Sequence, residues 1–268
     1  MNEFPQVLTI AGSDSDGSAG MQADLHTFFI RKTYGMSVLV AAVAGNSFGI
    51  HAAETLPLPF IEKQFEVLAD DFQIRASKTG MLSDADLIAT VVTAYKTYNF
   101  GPLVVDPVIT TKHGAQLLAD SAFQALKTQL LPLAEVATPN FFEAQLLTGR
   151  TINSEAEQRE AARDIQKFGV KNVVIKGWHN QKNQSEVADY VLLANGSDFW
   201  LRHSYFDTTH INGTGDTLSA TIAAEIAKGT DVATAIKIGH DVTTAAIEHE
   251  IAVGHQFGPI NHWAAADI

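Results

Sequence analysis

The stretch Asn212-Gly213-Thr214-Gly215-Asp216-Thr217-Leu218-Ser219 decides how the chain is read. It closes a polar run, Asp207-Thr208-Thr209-His210, and opens an apolar-periodic segment that ends at Lys228-Gly229. Leu218, Ile222 and Ile226 recur at helical spacing, with Ala223 and Ala227 on the same side. That is one face of an amphipathic helix. Gly229 is placed to stop it, because glycine takes the left-handed cap conformation without steric cost. Glycines at 213 and 215 let backbone amides approach a ligand closely. They sit where a helix N-terminus leaves unpaired N–H groups and partial positive charge, a natural site for phosphate. Asp216 falls in the first turn. A carboxylate there is ordinarily a dipole partner and nothing more. Beside a bound phosphate it would stand next to the reacting group and could take a proton.

Outward from this helix, strand and helix patterns alternate along the chain. Strands are predicted at Gln6 to Ile10, Met36 to Val43, Ile74 to Lys78, Leu103 to Val105, Glu135 to Thr138 and Asn172 to Lys176. Helices are predicted at Met21 to Lys32, Phe60 to Asp70, Asp84 to Tyr98, Gln116 to Leu131, Ser154 to Phe168 and Val232 to His249. Met36 to Val43 is a continuous apolar run, as a strand covered on both faces requires. Val187 to Leu193 and Phe199 to His203, joined through Asn195-Gly196, read as a single hairpin. The pattern predicts an α/β fold, a mostly parallel central sheet with helices on both faces as a three-layer sandwich. No linker or repeat interrupts residues 1–268, so one domain is expected.

Composition limits the partners. Net charge is −12, which leaves no basic surplus for nucleic acid. No apolar run reaches the ~20 residues that span a bilayer, so no membrane partner is expected. Met1 to Pro5 lacks the pattern of a signal peptide. With no cysteine the chain has no disulfide and no thiolate nucleophile, as suits a cytoplasmic location. None of the ten histidines shows metal-ligand spacing.

In open α/β sheets, ligands bind beyond the carboxyl ends of the strands. Polar residues collect there: Ser13 and Asp14, Asp106, Asn140 and Glu143, and Lys176. Gly12 to Gly17 has P-loop glycine spacing, but Ser18-Ala19 replaces the required Lys-Ser/Thr. A calcium loop from Asp14 fails at Ala19 and Leu25. Asp24, one turn into the next helix, either points back over this loop or is a solvated helix carboxylate. Asp106 ends an apolar strand, where a carboxylate is costly unless something pairs with it. A magnesium ion would serve, and so would a turn. Asn140 and Glu143 have the spacing of a cap and its N3 partner; alternatively Glu143 joins Asp106 near a metal. Lys176 offers a charge to phosphates or merely emerges at the surface. Lys112 lies in the polar loop Val108 to Ala115, a candidate cover.

Together these motifs resemble the ribokinase-like superfamily, and within it the vitamin-kinase branch of pyridoxal kinases and hydroxymethylpyrimidine (phosphate) kinases. The resemblance is carried by Ile10-Ala11-Gly12-Ser13-Asp14-Ser15 with Ala19 to Leu25, Lys78-Thr79-Gly80-Met81-Leu82, Val105-Asp106-Pro107-Val108, Thr138-Pro139-Asn140 with Glu143-Ala144, Lys176-Gly177, Asn212 to Thr217, and Gly258-Pro259 with Asn261-His262. It implies Asp216 as general base, with the amides of Gly213, Thr214 and Gly215 holding the transferring phosphoryl group. It implies Asp106 and Glu143 as organisers of Mg²⁺, and Asn140, Lys176 and Thr214 as nucleotide contacts for ATP. Gly12, Ser13, Asp24, Met81 and Val108 would line the vitamin pocket, and Val108 to Lys112 would fold over it. Relatives of this kind are commonly homodimers.

Two departures bear on the substrate. Members of this branch often carry cysteine where this chain has Asp216, which here points to carboxylate base catalysis. Hydroxymethylpyrimidine kinases usually have glutamine before the asparagine of the second-strand motif, where this chain reads Ala44-Gly45-Asn46. Tyr34-Gly35-Met36 and Lys78 to Met81 are closer to pyridoxal kinases. The expectation is therefore ATP-dependent phosphorylation of vitamin B6 at its hydroxymethyl group. The alternative is a hydroxymethylpyrimidine/phosphomethylpyrimidine kinase of thiamine biosynthesis. A sugar or nucleoside kinase is disfavoured by the Gly12 to Leu25 loop. A non-catalytic nucleotide-binding regulator is disfavoured by the joint presence of Asp106, Glu143 and Asp216.

Overall fold

A computed structural model describes residues 4–109, 118, 120–177 and 184–268. Nine strands form one sheet: β1 (Gln6–Asp14), β2 (Tyr34–Asn46), β3 (Gly49–Thr55), β4 (Ile74–Thr79), β5 (Leu103–Val105), β6 (Ala134–Ala137), β7 (Asn172–Ile175), β8 (Glu186–Leu192) and β9 (Asp198–Ser204). Their order across the sheet is β3-β2-β1-β4-β5-β6-β7-β8-β9. The six strands from β2 to β7 pair in parallel, as the strand–helix alternation requires.

The edges are antiparallel. β7, β8 and β9 form the meander that contains the expected hairpin. A second hairpin, β2–β3, corrects the expectation of only one. All of β3 is exposed, so it has no buried face to write an apolar alternation into its sequence.

Eight α-helices accompany the sheet among the described residues: α1 (Gly20–Ile30), α2 (Leu58–Asp71), α3 (Ala85–Thr97), α4 (Asp120–Ala125), α5 (Phe141–Thr148), α6 (Glu155–Gln166), α7 (Thr214–Lys228) and α8 (Val232–Glu248). The helix expected over Gln116 to Leu131 is shorter: α4 gives way to a π-turn at Leu126–Leu130 before Pro132. Residues 116, 117 and 119 lie outside the described residues.

Alternate strand residues feed two apolar clusters. Leu8, Ile10, Leu103 and Val105 pack with Ile61 and Phe65 of α2, Leu87 and Val91 of α3 and Ile165 of α6. Val7, Ala76 and Val104 pack with Phe28 of α1, Leu218, Ile222, Ala223 and Ala227 of α7, and Ile236 of α8. The face of α7 read from its periodicity is thus buried except at Ile226, which is partly buried, and Leu218 and Ile222 each contribute about 1.5–3 kcal/mol. Four alanines of α7 are buried as well, which brings its backbone close to β4 and β5. Gly229 ends it in the left-handed conformation, φ 93°.

Candidate active site

α7 begins at the carboxyl ends of the parallel strands. Gly213 precedes it with φ 85°, a conformation that glycine adopts without strain. A Cβ at Gly213 would stand 2.4 Å from the carbonyl oxygen of Ser18, so only glycine lets this turn rest on the β1–α1 loop. Behind it, Asn212 exchanges backbone hydrogen bonds with the 258–260 segment, donating to Gly258 O at 3.0 Å and accepting from Ile260 N at 3.2 Å. That explains Gly258-Pro259 as part of the same motif. The Thr214 N–H donates to Ile211 O at 3.4 Å.

Asp216 opens onto a buried charge cluster. Lys78, at the end of β4, is fully buried and donates to Asp24 Oδ1 at 2.7 Å and Asp216 Oδ1 at 3.3 Å. Thr9 of β1 donates to the other Asp24 oxygen at 2.5 Å. Burial pushes the Asp24 carboxyl up to about 7; Lys78 pulls against it, and Asp216 adds to the rise. Burial alone would lower Lys78, but the carboxylates of Asp24, Asp216 and Asp106 outweigh it and raise it. Asp24 is therefore neither a solvated helix residue nor a wall of an open pocket: it is 0% exposed. Lys78 is the functional candidate that motif reading passed over. One signal existed: by the two-residue strand period it shares a side with buried Ala76.

A second cluster lies alongside. Lys176, after β7, stands 3.5 Å from Asp106 Oδ1, after β5. A Cβ on Gly215 would lie 3.1 Å from Asp106 Oδ2 and 3.2 Å from Lys176 Nζ, so the first turn of α7 fits against this pair. Asn140 and Glu143 do form a capping box on α5. Glu143 accepts from Asn140 N at 2.8 Å and from Ile109 N at 3.0 Å. Its carboxyl is nevertheless pushed up to about 7, by burial first and by the neighbouring Asp106, with Lys176 opposing. Burial would lower Lys176, yet Asp106, Glu143 and Asp216 together raise it. The two readings of Glu143 are thus compatible: it caps α5 and faces Asp106.

The remaining predicted residues gather at the β1 end. A Cβ on Gly12 would be 3.7 Å from Met81 Cε. Ser13 Oγ accepts from Gln22 Nε2 at 2.7 Å, and Gln22 Oε1 accepts from Asp14 N at 2.9 Å. Burial, with Asp16 adding to it, pushes Asp14 up to about 6. Val108 has φ 33°, a strained value for a β-branched residue, directly after Asp106-Pro107. Of the expected cover, Val108 and Ile109 are described, while Lys112 and its neighbours lie outside the described residues.

Among the described residues no group of three or more histidine, cysteine or acidic side chains could by itself hold a metal ion. Asp106 and Glu143 do supply an all-oxygen pair whose excess negative charge suits Mg²⁺ completed by phosphate and water. No described helix is long and apolar enough to cross a membrane. An apolar cleft of about 840 Å³, lined by Phe29, Tyr34, Val253 and Trp263 among others, includes none of Asp24, Lys78, Asp106, Glu143, Lys176 and Asp216.

Comparison with known proteins places the chain in a family. Residues 14–261 match the phosphomethylpyrimidine kinase family. A hydroxymethylpyrimidine/phosphomethylpyrimidine kinase of Haemophilus influenzae is 47% identical over 265 residues, 98% of this chain and 98% of that one. The crystal structure of a Bacillus subtilis pyridoxal kinase in complex with ADP superposes with a TM-score of 0.87 at 35% identity, covering 98% of both chains. A phosphomethylpyrimidine kinase from Clostridium difficile superposes at 0.79 with 37% identity, covering 91% of this chain and 100% of that one. The expectation of vitamin B6 as acceptor is overturned. The sequence relatives carry the hydroxymethylpyrimidine name, and pyridoxal kinases stand among the structural neighbours at lower identity. Gly45 misled for a local reason. It lacks the side chain, and a Cβ there would be 3.3 Å from Gly49 O and 3.4 Å from Asp14 Oδ1.

Proposed function

The chain belongs to the phosphomethylpyrimidine kinase family, and from that premise we propose that it transfers the γ-phosphoryl group of ATP to the hydroxymethyl oxygen of hydroxymethylpyrimidine and, in a second reaction, to a phosphate oxygen of the resulting monophosphate. The observation that carries the reading is Asp216 at the N-terminus of α7, beside Lys78 and one residue from Gly215, which fits against Asp106 and Lys176. The supporting fold reading is a single three-layer domain whose strand ends bring these groups together.

In the reaction, Asp216 accepts the proton of the acceptor hydroxyl as its oxygen forms the bond to the γ-phosphorus. The bond from that phosphorus to the β–γ bridging oxygen breaks and ADP leaves. Charge spreads over the γ-phosphoryl oxygens, and backbone N–H groups from Gly213 to Gly215 at the helix N-terminus would receive it. For Thr214 this means giving up its long contact to Ile211. Lys176 places a positive charge beside the phosphates. Asn140, capping α5 through its side chain, fixes Glu143 and thereby the flank of Asp106. Mg²⁺ entering with ATP would be held by Asp106, with Glu143 acting through water because backbone amides already engage both its oxygens. When bound, the ion supplies charge neutralisation at the phosphates.

On the acceptor side, Gly12, Ser13, Met81 and Val108 form the wall. Asp14 stands near Gly45, where an exocyclic ring amine would find an acceptor. Coupled ADP release with MgATP and hydroxymethylpyrimidine, or its monophosphate, tests the reading. Saturable turnover of the pyrimidine is expected. Turnover of pyridoxal with none of either pyrimidine would overturn it.

A further inference from the structure

Lys78 needs an explanation that its burial alone does not give. Taking an ammonium out of water costs several kcal/mol unless it is paired. Asp24 at 2.7 Å, itself fixed by Thr9, meets that need completely. Lys78 nevertheless reaches a second carboxylate, Asp216, at 3.3 Å. The four side chains come from four elements: Thr9 on β1, Asp24 on α1, Lys78 on β4 and Asp216 on α7. Lys78 is thus the link that ties the first turn of α7 to the floor of the sheet. It touches Oδ1 of Asp216 and leaves Oδ2 for an acceptor. The Asp216 side chain is 18% exposed whereas Lys78 and Asp24 are 0% exposed, so only the carboxylate of α7 is open to a substrate.

We propose that Lys78 is a positioning residue for phosphoryl transfer: it holds Asp216 Oδ1 so that Oδ2 faces the acceptor hydroxyl, and Asp24 is its counter-charge from beneath. This rests on the reading of Asp216 as the base. Lys78 does not touch the substrate and acts only through Asp216, so its loss falls on kcat and not on binding of either substrate.

The test uses Lys78→Met, Asp24→Asn, the double variant Asp24→Asn/Lys78→Met, and Asp216→Asn, all assayed by ADP release with melting temperatures measured in parallel. Lys78→Met alone strands the Asp24 carboxylate and is expected to melt lower. The double variant replaces the buried pair by a neutral one and keeps the fold. It is expected to lose about 100-fold or more in kcat, with KM for ATP and for the pyrimidine within about threefold of the wild type. Asp24→Asn keeps the Lys78–Asp216 contact and is expected to hold kcat within about fivefold. A double variant with wild-type kcat would overturn the proposal, because Lys78 would then serve only to neutralise Asp24. A loss carried by KM would also overturn it, placing Lys78 in binding. So would an Asp24→Asn loss as large as that of Lys78→Met, a comparison that stands even where the double variant does not fold. If Asp216→Asn retains full kcat, it is the base reading that fails, and that outcome is separable from all of these.

Discussion

Replacing Gly215 by alanine separates stability from activity. Gly215 lies in the first turn of α7 and has no positive φ, so alanine fits its backbone. By helix propensity alone the change favours the fold by up to about 0.5–1 kcal/mol. The new methyl carbon, however, would stand 3.1 Å from Asp106 Oδ2 and 3.2 Å from Lys176 Nζ, both a few tenths of an ångström inside ordinary contact. Both are tips of side chains and can yield, so the fold survives. What yields is the 3.5 Å pair proposed to receive the metal and the phosphates. A shift of this size at a phosphoryl-transfer centre is expected to cost roughly 10- to 100-fold in kcat/KM for ATP, about 1.4–2.8 kcal/mol of transition-state stabilisation. The assay is ADP release over a range of MgATP at saturating pyrimidine, alongside a thermal melt. A melting temperature at or above that of the wild type with reduced kcat/KM is the expected result. Unchanged kinetics at an unchanged melting temperature would refute the placement of the phosphate chemistry between Asp106, Lys176 and α7.

Gly213→Ala behaves differently: it forces alanine to φ 85° and drives a Cβ to 2.4 Å from the Ser18 carbonyl, so both activity and melting temperature fall, by about 1 kcal/mol of backbone strain or more. Asn140→Ala removes the α5 cap and is expected to cost about 1 kcal/mol in a denaturant titration while raising KM for ATP, because the Glu143 N–H loses its acceptor and the first turn of α5, which carries the Glu143 carboxylate, loosens. His262 is pushed down to about 4, by burial first and by His26 next, with Asp216 opposing. Its folded value lies below the unfolded one, so its neutral form contributes stability above about pH 6.5 that is lost as pH falls toward 4, up to about 3 kcal/mol. His262→Gln should flatten that part of a melting-temperature profile; an unchanged acid limb would contradict the assignment.

The parallel order of the sheet was legible because buried strands and amphipathic helices alternate in the chain, and α7 was legible because Leu218, Ile222 and Ala223 keep its apolar face. The strand-end rule assigns Ser13, Asp14, Asp106, Asn140, Glu143 and Lys176 to one edge, while Asp216 is legible from the glycine-flanked start of α7. β3 escaped because a fully exposed strand carries no buried periodicity. Lys78 escaped because its two partners lie 54 and 138 residues away, and burial of a charge is a property of packing and not of local pattern. For Asp24, the two local readings are a carboxylate pointing back over the β1–α1 loop and a solvated helix carboxylate; only the approach of β4 to α1 makes it an ion-pair partner. The acceptor was the least legible feature. Gly45 has no side chain to report a ring contact, and the approach of Asp14 from β1 is visible only in the fold.

The most direct test of the central claim is the rate of ADP release from MgATP with hydroxymethylpyrimidine, compared between the wild type and Asp216→Asn. The asparagine keeps the shape of the side chain and a hydrogen-bonding oxygen but cannot take the hydroxyl proton. Robust turnover by the wild type is expected, with kcat reduced about 100- to 10,000-fold in the variant and ATP affinity preserved. Equal turnover by the two proteins would contradict it.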